Sequence, residues 1–245
     1  MRWSGNCGMR TGERALELRG TAVAGWFGRM GRVTTTVHLL RHGEVFNPGR
    51  VLYGRLPGFT LSDLGIAQAK LAAEHLASRP IGYLVSSPLE RAQQTAQPLA
   101  EALGLSIETD ERLIEADNHL QGRQVAGGKG LFRDPALFKY YRNPFLPSWG
   151  EPYTQIAARV LAAARAARDA AHQVGADAEA VCVSHQLPIV IARRRAEGHR
   201  LFHDPRRRQC GLASVTSFTF AGDAIVRIDY AEPAATLPPG HGAGA

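Results

Sequence analysis

The chain has 245 residues, 44% of them hydrophobic and 21% charged, with a formal net charge of +7. This is enough apolar material for one large core, and the apolar stretches are broken by Gly, Arg or His, which excludes a membrane-spanning helix of about 18 residues or more. Cys7, Cys182 and Cys210 show no paired spacing, which argues against a disulfide framework or a zinc cluster and for a reducing cytoplasm.

Residues 1–34 carry several glycines and arginines without periodicity and are expected to form a disordered extension. Six arginines against Glu13 and Glu17 give residues 1–32 a net charge of +4, more than half of the whole excess. The later clusters Arg193-Arg194-Arg195 and Arg206-Arg207-Arg208 have only Phe202 interleaved with them. Bases have little to stack on there, so nucleic acid is not an expected partner, and solvation or steering of an anionic substrate is preferred.

The first predicted strand, Val37-His38-Leu39-Leu40, runs into Arg41-His42-Gly43-Glu44. An imidazole attacks phosphorus only when neutral, and an adjacent guanidinium favours the neutral ring while offering a planar fork of donors to a phosphoryl group. Gly43 suits a sharp exit from the strand and a close ligand approach. After a Ser62 cap, Leu64, Ala67, Leu71, Ala72 and Leu76 mark one helical face.

A second strand, Tyr83 to Ser86, leads into a helix for which Ser87 has N-cap chemistry, Pro88 suits the first position and Glu90 completes a capping box. Leu89, Ala92, Ala96, Leu99 and Leu103 are its apolar stripe, and Pro98 is expected to bend it. Arg91 falls in the first turn, where its charge opposes the helix dipole, so an anionic partner explains it better than helix stability does. The acidic segment Asp110 to Asp117 follows.

Gln121 to Tyr153 is the least regular stretch, mixing Phe132, Arg133, Tyr140, Arg142 and Trp149. It suits a cap over a pocket, with Arg133 and Arg142 as substrate contacts, or a helical insert with its own small core. A third strand, Ala180 to Val183, delivers His185 at its end, and Ser214 to Phe220 and Ala224 to Tyr230 form a terminal pair turning at Gly222-Asp223. Residues 232–245 are rich in Pro, Gly and Ala and are expected to be disordered. Strand and helix signals alternate between these ends, the pattern of a parallel sheet covered on both faces, whose ligand crevice lies beyond the carboxyl ends of the strands.

Three blocks, Arg41-His42-Gly43-Glu44, Ser86-Ser87-Pro88-Leu89-Glu90-Arg91-Ala92-Gln93-Gln94-Thr95-Ala96 and Ser184-His185, resemble in content and order the histidine phosphatase superfamily, also called phosphoglycerate-mutase-like, over roughly Val37 to Tyr230. The resemblance implies a three-layer α/β/α sandwich with a mostly parallel central sheet, over 35–231, with a cap-like insert at about 121–153. It implies that His42 is the transiently phosphorylated nucleophile, that Arg41, Arg91 and His185 bind the phosphoryl oxygens, and that Asn47 is a further polar contact. Glu115 matches the family's proton donor, with Asp117 as the fallback. Gln186 stands where most relatives have glycine and is expected to contact substrate, and Gly150-Glu151-Pro152-Tyr153 stands where many carry a Gly-Glu-Ser helix start.

The function implied is a histidine acid phosphatase-type hydrolase that cleaves a phosphate monoester through phosphohistidine. No metal or cofactor is expected, and the partner expected is a small-molecule phosphate ester rather than a membrane or a nucleic acid. A mutase that returns the phosphoryl group to its intermediate is the first alternative. A non-catalytic module binding a phosphorylated ligand is the second.

Overall fold

Alternation of burial along the strands builds a sheet with two apolar faces. In β1 (Thr34–Arg41), Val37 and Leu39 belong to one core cluster and Leu40 to another. The computed structural model describes residues 34–124 and 150–238. Residues 1–33 of the expected extension, 125–149 of the expected insert with Arg133 and Arg142, and 239–245 lie outside the described residues.

The remaining strands are β2 (Ile81–Ser86), β3 (Glu108–Thr109), β4 (Glu179–Ser184), β5 (Val215–Ala221) and β6 (Ala224–Ala231). They form one six-stranded sheet in the order β3-β2-β4-β1-β5-β6. The pairings β2 with β3, β2 with β4 and β1 with β4 are parallel, while β5 pairs antiparallel with both β1 and β6. Helices α1 (Asp63–Ala77) and α2 (Glu90–Leu103) pack with Leu40, Leu84, Val181 and Val183 on one face. Helices α3 (Tyr153–Val174) and α4 (Gln186–Ala196) pack with Val37, Leu39, Ala180 and Cys182 on the other. The three-layer α/β/α architecture is therefore present, and β4 at its centre is buried on both sides as a run of apolar residues should be. Among the described residues no helix is long and apolar enough to cross a membrane.

The buried side of α1 is Gly65, Gln68, Ala69, Ala72, Ala73 and Leu76, so the predicted Leu64, Ala67 and Leu71 form its half-buried edge. The helix turns this way because its start is fastened to the loop after β1. Ser62 caps it by accepting from the Gly65 N–H at 3.0 Å and donates its own hydroxyl to Glu44 Oε2 at 2.7 Å. Gln68 accepts from the Glu44 N–H at 2.8 Å. A Cβ on Gly43 would lie 2.5 Å from the Gly65 carbonyl oxygen, and one on Gly65 would lie 2.0 Å from that of Glu44. Gly43 thus serves backbone-to-backbone contact between loop and helix, rather than a turn at positive φ. Gly65→Ala is expected to cost about 1–3 kcal/mol or more, since the atoms it meets are main chain. Thermal unfolding checks this, with Tm falling by roughly 2–4 °C per kcal/mol.

The predicted capping box before α2 is absent. The helix begins at Glu90 behind Leu89; Ser87 Oγ accepts the Leu89 N–H at 3.4 Å, but the reciprocal arm is missing because the Ser87 N–H is bonded to the Val183 carbonyl and Glu90 is used elsewhere. Glu90 Oε2 accepts from the Gly58 N–H at 3.0 Å, and Ser87 faces a histidine described below. Of the C-terminal stretch expected to be disordered, 232–238 is described: it forms turns, buries Ala234 and packs Leu237 against the α1/α2 face.

Candidate active site

Three adjacent strands end side by side. Arg41 pairs with Ser184 across β1 and β4, and Ser86 pairs with Val183 across β2 and β4, so the residues that follow, His42, Ser87 and His185, emerge at one edge. The His42 N–H continues the ladder to the Ser184 carbonyl at 3.1 Å, and the Ser87 N–H does so to Val183 at 2.9 Å. The ring centroids of His42 and His185 are 5.1 Å apart. Both rings are fully buried.

Hydrogen bonds fix the tautomer of His42. Its Nδ1 lies 2.7 Å from the Gly43 carbonyl oxygen, which only accepts, so Nδ1 carries the proton and the Nε2 lone pair is free in the neutral ring. Burial pushes the His42 pKa well below its ordinary value, and the Arg91 and Arg41 charges push it further, against the Gly43 bond. Burial likewise drives His185 down, helped by Arg91 and by His42 itself. His185 Nε2 meets Ser87 Oγ at 2.8 Å, which turns Nδ1 away from the serine.

Two arginines complete the ring of donors. Arg41 gives one guanidinium N–H to the Cys210 carbonyl at 2.7 Å, and Arg91 gives one to the Gly54 carbonyl at 2.6 Å. Arg91 is only 1% exposed and lies over the Tyr53 ring at 4.7 Å. The Thr95 hydroxyl braces α2 by donating to the Arg91 carbonyl and accepts the Gly43 N–H. Neither arginine has a carboxylate within ion-pair distance among the described residues. An uncompensated buried guanidinium is costly, so an anion belongs beside it.

Glu115 is buried at the same place. Its Oε1 accepts from the Ala116 N–H at 2.8 Å, and burial raises its pKa against the opposing pull of that bond and of Arg91, Arg41 and Arg208. Asp117 is half-buried two residues further on and lines the hollow that Glu115 lines. Six buried side-chain polar atoms lack a hydrogen-bond partner among the described residues, and five are Arg41 Nε, His42 Nε2, Arg91 Nε, Glu115 Oε2 and His185 Nδ1. The five residues picked from sequence as catalytic thus supply five of these six atoms, the sixth being Thr216 Oγ1.

The other two substrate contacts expected from sequence sit differently. Asn47 closes its loop by donating to the Val51 carbonyl at 2.9 Å and accepting the Val51 N–H at 3.0 Å, and it lines a separate surface hollow with Glu44 and Arg50. Gln186 lines a cavity of about 550 Å³ with Arg41 and Arg208, donating to the Cys210 carbonyl and accepting from Arg208.

A clamp behind Glu115 escaped the sequence analysis. Arg55 donates to the Glu115 carbonyl at 2.7 Å, and Arg159 donates to the carbonyls of Arg112 and Ile114 at 2.7 Å each. Glu151 binds both arginines, Arg159 in two-pronged fashion. The glutamate noted only as a departure at the start of α3 therefore ties down the loop that presents Glu115. With Glu115 as the proton donor that the sequence resemblance implies, Glu151→Gln is expected to lower kcat by roughly 10- to 100-fold with KM little changed, the scale of a misplaced reacting group. In a loosened, wetter loop the Glu115 pKa falls, so the basic limb of the pH profile shifts to lower pH. An unshifted limb would mean that the clamp only stabilises the fold.

A family model described as the histidine phosphatase superfamily (branch 1) matches residues 37–231. The uncharacterized protein Rv0525 of Mycobacterium tuberculosis is 54% identical over 201 residues, 82% of this chain and 98% of that one. A protein titled "Probable phosphoglycerate mutase GpmB" from Yersinia pestis is 42% identical over 80 residues, 32% of this chain and 37% of its own length. Among solved structures, the mycobacterial glucosyl-3-phosphoglycerate phosphatase Rv2419c matches with a TM-score of 0.64 and 28% identity, covering 81% of this chain and 96% of that one. A phosphoglycerate mutase from Bacillus anthracis, at 17% identity and a TM-score of 0.60 over 81% of this chain and 93% of its own, shares the fold. Strand-end residues, sheet order and a match over most of the sequence lead to one conclusion: the chain belongs to the histidine phosphatase superfamily.

Proposed function

We propose that the chain is a phosphomonoesterase that works through a phosphohistidine and needs no metal. His42 Nε2 attacks phosphorus, the P–O bond to the leaving group breaks, and Glu115 gives its proton to the departing oxygen. Glu115, now a carboxylate, takes a proton from water; the resulting hydroxide attacks phosphorus, the N–P bond breaks, and inorganic phosphate leaves His42 neutral again. Arg41 and Arg91 neutralise the phosphoryl oxygens, and His185 donates a hydrogen bond to them, through both steps. The observation that carries this reading is the convergence of five buried, unpartnered polar atoms, one a lone pair, one a carboxyl oxygen and three suited to donate to an anion.

Burial shifts both groups toward the required protonation states, a neutral nucleophile and a protonated acid, and this supports acid phosphatase behaviour. Charge neutralisation by two arginines supports metal independence, so chelators should leave turnover intact. Hydrolysis is favoured over mutase chemistry because a long array of basic contacts for retaining a bisphosphorylated intermediate is not recognisable in the sequence, and the neighbour at 28% identity is titled a phosphatase. A small phosphorylated molecule is the substrate we propose, and the buried free thiols Cys182 and Cys210 suit a cytoplasmic setting. Incubation with 3-phosphoglycerate separates the two chemistries: released phosphate supports hydrolysis, and 2-phosphoglycerate would replace it with the mutase.

A further inference from the structure

Arg208 lies just beyond the phosphoryl site and has no part in the mechanism above. It follows a 3-10 turn, Pro205–Arg207, and its guanidinium is held by two neutral acceptors. Nε donates to His203 Nε2 at 3.0 Å, and another N–H reaches Gln186 Oε1 at 3.4 Å. His203 is set up for this: its Nδ1 lies 2.7 Å from the Leu201 carbonyl, so the ring proton sits there and the Nε2 lone pair faces the arginine. Burial lowers the His203 pKa, which keeps that ring neutral.

No carboxylate lies within ion-pair distance of Arg208 among the described residues, although Arg206 next door is paired with Asp204 and Arg193 with Glu197. The side chain is well buried beside the site, and burial disfavours its charge. It lines a hollow of about 210 Å³ together with Glu115, Leu52, Tyr153 and Leu187. Glu115 marks the side from which the leaving oxygen departs, so this hollow receives the rest of the substrate. A braced cation without a counter-ion in that hollow has a defined chemical complement.

We infer that Arg208 is a specificity-determining residue that reads a second anionic group, a carboxylate or a further phosphate, on the leaving group. The inference takes its substrate orientation from the phosphomonoesterase reading. Its test is a binding measurement that does not depend on turnover.

Three non-hydrolysable probes built on the same two-carbon unit separate the possibilities: ethylphosphonate, 3-phosphonopropionate and ethylenediphosphonate. Titration calorimetry on the full chain is expected to show at least one of the two doubly anionic probes binding roughly 10-fold tighter or more than ethylphosphonate, the scale of a charge-assisted hydrogen bond. The arm that gains more identifies the second group as carboxylate or phosphate. Arg208→Gln should erase the preference and leave ethylphosphonate affinity unchanged, and Arg208→Lys should keep part of it. Equal affinity of the unmodified protein for all three probes overturns the inference and leaves the phosphoryl site standing. A uniform loss across the probes in Arg208→Gln also overturns it, assigning the arginine to the phosphoryl group or to the fold. Absence of binding by any probe removes the phosphoryl site itself, and the inference with it.

Discussion

His42→Ala is expected to lose phosphate release by roughly 10⁴-fold or more on every phosphomonoester tested, the order found when a nucleophile is taken from a preorganised site. The expectation follows from geometry. Nδ1 is committed to the Gly43 carbonyl, which leaves Nε2 as the one free lone pair on a ring that burial and two guanidinium groups keep neutral. Cys210 lies near, but burial raises its thiol pKa and deprives it of thiolate character. The variant should still bind inorganic phosphate, because Arg41, Arg91 and His185 remain. Steady-state assays alongside phosphate titration test both halves, and parent-like turnover would mean that the nucleophile lies elsewhere.

The second large effect belongs to Glu115→Gln, expected to lower turnover of alkyl phosphates by about 10²–10⁴-fold. An alkoxide cannot leave without a proton, whereas nitrophenolate can. With p-nitrophenyl phosphate the variant should therefore release one equivalent of nitrophenolate quickly and then slow down, because the same carboxylate is missing when water attacks the phosphohistidine. The pH dependence of kcat/KM gives an independent reading. Protonating His42 abolishes the nucleophile, and its lowered pKa puts that acid limb below the ordinary imidazole value of 6.5. Ionising Glu115 abolishes the acid, and its raised pKa puts the basic limb above the ordinary carboxyl value of 4.5. Glu115→Gln should remove the basic limb and keep the acid one. The substrate's own ionisation near pH ~6 is common to both proteins and cancels in the comparison.

The residues legible in the sequence are those that follow a strand. His42, Arg91 and His185 stand one to five residues beyond the last residue of β1, β2 and β4, and a parallel sheet brings such positions together whatever the loops do. Glu115 was legible only through the resemblance, since an acid in a loop has no periodicity to mark it. What stayed hidden depends on partners far along the chain. Ser87 has the chemistry of a helix cap, yet it contacts His185, 98 positions away. Gly43 looks like a turn residue, yet a helix backbone occupies the space its side chain would fill. Arg208 looks like one of three consecutive surface arginines, and only its contacts with His203 and Gln186 distinguish it from Arg206 and Arg207. The Glu151 clamp joins segments 60 and 96 residues apart through Arg55. Local pattern carries no information about pairings of that range.

The central claim is that the buried pocket accepts a phosphoryl group on His42 Nε2, and trapping the intermediate tests it most directly. The protein should be mixed with a phosphomonoester, quenched within one turnover in alkali, digested and analysed by mass spectrometry, with a parallel quench in acid. A phosphoryl group on the peptide containing His42, stable in alkali and lost in acid, is the predicted result. Phosphate found instead on Ser87, on Cys210 or on His185, or a turnover that labels no residue, would contradict it.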